Sequence, residues 1–76
     1  MDNDEIARVW QEHFPKWRKD RNSDQICRHL CTVVRERVRH LAIPLGLNPD
    51  QKLQHVLNAC RIPRVQFDEV SGANRP

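Results

Sequence analysis

No apolar run in this 76-residue sequence approaches the roughly 20 residues that span a bilayer. A membrane-spanning role is therefore not expected. Met1-Asp2-Asn3-Asp4-Glu5 is acidic, where a secretory leader needs a basic start and an apolar stretch. Glycine occurs only twice, and there is no glycine-rich phosphate loop, no His-Glu-x-x-His and no pair of acids on one helix face. The usual footings of phosphate transfer, zinc proteolysis and paired-carboxylate catalysis are thus missing. Cysteine is sparse and odd in number, at Cys27, Cys31 and Cys60. Without a leader this reads as free thiols in a reducing, cytoplasmic setting. Repeats and low-complexity segments are also lacking.

The sequence does hold regularly spaced apolar residues, 38% hydrophobic against 30% charged. That balance fits one globular domain. A chain this short buries only about 60% of its unfolded surface, so its core is thin and a partner or second copy is an ordinary source of further stability.

Ile6, Val9, Trp10 and Phe14 share one face of a first helix that starts near Asp4, with Asn3 or Asp4 as cap. Pro15 breaks it and leads into a basic connector, Lys16-Trp17-Arg18-Lys19-Asp20-Arg21. Trp17 can fold back on that first face. Asn22, Ser23 and Asp24 offer caps for a long second helix. Its residues Ile26, Cys27, Leu30, Cys31, Val33, Val34, Val38 and Leu41 sweep roughly 160°, wider than one neighbour needs. Pro44 and Gly46 are expected to end it. Asn48 caps a third helix with Pro49 in its first position and Gln51 completing a capping box. Its stripe is Leu53, Val56, Leu57 and Cys60. After Pro63, Val65-Gln66-Phe67 alternates and reads as extended, with a short fourth helix as the other option. The expected fold is all-α, a small domain over residues 1–70 with three helices, plus one short element, packed around the long central one. Residues 71–76 read as a loose tail.

Cys27, Cys31, Cys60 and His13 have the ligand chemistry for zinc but not the short paired spacing. Buried thiols are the preferred reading, with no metal and no cofactor. A Cys31–His13 nucleophile–base pair has nothing to activate it, and a thin core leaves little room for a small-molecule substrate cleft, so no catalytic residue is assigned.

Two binding classes remain. The favoured one is a small regulator or inhibitor that docks on another protein and on itself as a homodimer. Its anchors are Trp10, Trp17, Arg37 and Phe67, since Trp and Arg dominate interface energetics. Arg37 stands out because it falls within the apolar face of helix two; it must reach water, find an acid such as Glu12 or Glu69, or meet another chain. The alternative is a nucleic-acid-binding regulator. Arg28, Arg35 and Arg39 stack on one stripe of helix two, near the basic connector. Lys52, Gln54 and His55 would read the groove if helix three served in a helix-turn-helix. Pro44 inside the first helix of that motif, and an apolar residue one place late at Leu53, weaken that match. The net charge of +3 is modest for a dedicated DNA binder. The size suits a regulator encoded by a virus, plasmid or operon.

Overall fold

The computed structural model describes residues 1–45 and 48–72, with side chains for all of these except 42–45. Helix α1 spans Asn3–His13, a 3-10 turn Phe14–Lys16, α2 Arg21–Leu45, α3 Pro49–Ala59 and α4 Arg64–Gly72. There is no strand among the described residues, so the domain is all-α. None of its helices is long and apolar enough to cross a membrane.

Asp2, not Asn3 or Asp4, caps α1: its carboxylate accepts the Glu5 N–H at 2.8 Å. Asn3 is thereby the first helical residue, and its amide is free for a distant partner. Pro15 does end the α-helical ladder, but the chain continues in a 3-10 turn, where the missing N–H costs little. That turn folds Trp17 back. Trp10, Phe14 and Trp17 stack as a column, with ring centroids 5.5 and 6.0 Å apart and planes 13° from parallel at each step.

The start of α2 also differs from expectation. Asp20 performs the capping, accepting from the Asn22 N–H at 3.0 Å and the Ser23 hydroxyl at 3.1 Å. Asp24 is drawn off by the Trp17 indole N–H at 2.6 Å. At the other end α2 runs through Pro44 to Leu45. Proline is tolerated there because, in a last turn, it removes one donor and leaves little helix to kink. Gly46 lies outside the described residues.

Asn48 caps α3 as expected, its side-chain oxygen accepting the Asp50 and Gln51 N–H groups at 2.9 and 3.3 Å, with Pro49 following. The helix closes in a Schellman turn. Ile62 N–H reaches Leu57 C=O at 3.0 Å, and Arg61 N–H reaches Asn58 C=O at 3.1 Å. Arg61 takes the left-handed position, φ 54°, that glycine usually fills.

Val65-Gln66-Phe67 is helical, contrary to the extended expectation, and Ser71 and Gly72, expected in the tail, complete α4. The burial pattern explains why. Phe67 and Val70, three apart, are both buried, whereas Val65 is 65% exposed. An extended segment would have placed Val65 and Phe67 on the same face. Residues 73–76 of the expected tail lie outside the described residues.

Helix α2 is central and packs on α1, α3 and α4. Ile6 and Trp10 from α1, Leu30 and Val34 from α2, Leu57 from α3 and Phe67 from α4 form the heart of the core. The breadth of α2's apolar face matches its three neighbours.

Candidate functional site

Three of the four aromatic and arginine anchors expected at an interface belong to this chain's own core. Trp10, Trp17 and Phe67 are 1%, 5% and 2% exposed. Each also has a local task. The Trp10 indole donates to Gln66 at 2.8 Å, tying α1 to α4, and the Trp17 indole donates to Asp24. Phe67 carries the Arg35 guanidinium over its ring at 5.4 Å. A thin core recruits its largest side chains inward, and that outweighs their value at the surface.

The arginine stripe of α2 is divided among neighbours. Arg28 donates from Nε to Asp24 at 2.9 Å, Arg35 sits over Phe67, and Arg39 pairs with Glu36 at 2.6 Å. Arg35 and Arg39 are exposed and remain reachable, but the stripe is not an uncompensated ridge.

The thiols and His13 do not assemble. His13 Nδ1 lies 2.9 Å from the Ser23 hydroxyl, which itself donates to Asp20 and is fully buried. That hydroxyl links α1 to the α2 cap and is shut away from any substrate. Burial pushes the Cys31 thiol up to about 12 and Cys27 up to about 11, so neither is a ready thiolate. No cluster of metal-ligating side chains occurs among the described residues.

Arg37 is different. It leans off the edge of the α2–α1 contact, half-buried, and donates to Asn3 Oδ1 at 2.6 Å. The expected acid partners Glu12 and Glu69 lie elsewhere: Glu12 is near His13 and Glu69 near Arg18. Beside Arg37 opens a groove of about 400 Å³ between the C-terminal half of α2 and α3. His40, Lys52 and His55 line it with Arg37, around Leu41, Val56 and Ala59. No carboxylate lines it among the described residues. Leu41 is 43% exposed, one of the few large apolar side chains left at the described surface.

Of the expected readers on α3, Lys52 and His55 turn into this groove, toward α2. Gln54 is occupied by Asn58 at 2.9 Å and Arg64 at 3.4 Å, on the side facing α4. The three therefore do not form one reading edge. Sequence reasoning missed His40, Leu41 and Asn3 as partners of Arg37. The signal was present: Arg37, His40 and Leu41 stand at i, i+3 and i+4, as do Lys52, His55 and Val56.

No protein-family model matches the sequence, and comparison with curated proteins and with solved structures gave no significant match.

Proposed function

We propose that this chain is a non-catalytic binding module whose groove between α2 and α3 receives an acidic segment of another protein, with an apolar side chain at its centre. The observation that carries the reading is the lining. Arg37, His40, Lys52 and His55 surround Leu41, Val56 and Ala59, with no carboxylate among them. Asn3 orients the Arg37 guanidinium without neutralising it, so its charge remains available. A partner carboxylate gains a bidentate, charge-assisted contact there. An aliphatic side chain against Leu41 removes exposed apolar surface from water at about 25 cal/mol per Å². Such a module acts as a regulator or inhibitor by occupying its partner.

The test uses a fluorescein-labelled, glutamate-rich peptide with leucines at helical spacing. Binding that weakens about 30-fold on Arg37→Ala, the loss expected for an anchor of on the order of 2 kcal/mol, supports the reading. Equal binding by the variant contradicts it. So does an Arg37-dependent dimer in sedimentation, since a second copy would then be the groove's occupant.

A further inference from the structure

We propose that the corner where the 3-10 turn meets α2 is a second site, for the phosphodiester backbone of a nucleic acid. An open cavity of about 470 Å³ is bordered there by Arg18, Lys19, Arg21 and Arg28, together with Trp17 and two aspartates. Four cations face these two aspartates and Glu69, which lies 3.5 Å from Arg18, and both aspartates are already engaged. Asp20 accepts from the Asn22 N–H and the Ser23 hydroxyl. Asp24 accepts from the Trp17 indole and Arg28 Nε on a single oxygen. Lys19 and Arg21 are exposed and have no acidic partner among the described residues.

Two of the cations are held in place before any ligand arrives. The Arg18 guanidinium lies over the Trp17 ring at 4.5 Å, at the end of the aromatic column. Arg28 is anchored through Nε, and its terminal nitrogens have no hydrogen bond among the described residues. Pre-positioned guanidinium forks match phosphate oxygens and lose less side-chain freedom on binding. Arg21 and Arg28 stand about 10 Å apart along α2. One small anion does not satisfy cations so spread out; a chain of phosphates does.

This site is separate from the groove. Arg28 and Arg37 are nine residues apart, half a turn round the helix and about 14 Å along its axis, so the two sites occupy opposite faces of α2. Either proposal therefore stands or fails alone.

The probes are a fluorescein-labelled DNA duplex and its separated strand, read by anisotropy across a salt series. The double variant Lys19→Gln/Arg21→Gln touches no ion pair of the fold, and its circular dichroism should match the parent. Salt-sensitive binding is expected, with the slope of log affinity against log salt shallower in the double variant by roughly 1.8 on duplex, or roughly 1.4 on the strand. Arg37→Gln should leave that slope unchanged. The proposal is overturned by absence of salt-sensitive binding to both probes, by an unaltered slope in the double variant, or by polyglutamate competing as well as DNA of equal charge.

Discussion

Asn3 Oδ1 accepts a 2.6 Å hydrogen bond from the Arg37 guanidinium, and the same oxygen receives the Cys60 thiol at 3.6 Å. One amide at the start of α1 thus joins α2 and the end of α3. Because Asn3 is neutral, it fixes the direction of Arg37 while leaving its charge unmatched. Asn3→Ala should free the guanidinium, lower acidic-peptide affinity several-fold, and change unfolding free energy by only about 0.5–1.5 kcal/mol, as for a single hydrogen bond. Denaturant titration beside peptide binding checks both; a large stability loss with unchanged binding would show Asn3 to be purely a strut.

The Schellman turn makes a second prediction. Arg61 sits at φ 54° and reaches Asp4 at 3.1 Å, an exposed pair of little energetic weight. Left-handed backbone costs a non-glycine residue roughly 1–2 kcal/mol. Arg61→Gly should therefore leave the thermal midpoint level or raise it, while Arg61→Val should lower it. A lower midpoint for the glycine variant would contradict the assigned turn.

The thiols give a pH dependence. Burial raises Cys27 to about 11 and Cys31 to about 12, and raises Cys60 too, partly offset by Arg37 and Arg61. A folded-state pKa above the ordinary 9.0 means the folded state resists losing the proton. This contribution is complete below about pH 9 and is lost as pH climbs through 11 to 12. Denaturation midpoints should fall across that alkaline range, less steeply in Cys31→Ala once its lower starting stability is allowed for. At pH 8 native Cys27 and Cys31 should alkylate at least roughly a hundredfold more slowly than in denaturant, and Cys60 more slowly as well. Rapid alkylation of the native chain would contradict the burial.

Trp10 and Gln66 are joined by a 2.8 Å indole hydrogen bond across α1 and α4. Trp10→Phe should cost about 1–2 kcal/mol and Trp10→Ala about 3–5 kcal/mol. A double-mutant cycle of Trp10→Phe with Gln66→Ala should show coupling of about 1 kcal/mol. Additive losses would mean that the two side chains do not meet.

Local signals made much of this architecture readable in advance. Asn48-Pro49 announces α3, and the wide apolar face of α2 announces a central helix. What escaped depends on tertiary choices. Asp20, Asn22, Ser23 and Asp24 offer similar capping chemistry, and the indole of Trp17 decides by claiming Asp24. Val65-Gln66-Phe67 alternates equally well in two conformations until the burial of Val70 selects the helix. Arg37 was visible as an anomaly on one helix. Its companions His40, Lys52 and His55 come together only through the way α3 lies against α2, which no local pattern specifies.

Docking of an acidic segment between α2 and α3 is read residue by residue by chemical-shift mapping of the isotope-labelled chain, titrated with the glutamate-rich, leucine-spaced peptide. Shifts should be confined to the groove, at Asn3, Arg37, His40, Leu41, Lys52, His55, Val56 and Ala59, and be abolished by Arg37→Glu with the fold intact. Shifts at the Arg18–Arg28 corner instead, or the same shifts in the Arg37→Glu variant, would contradict that docking.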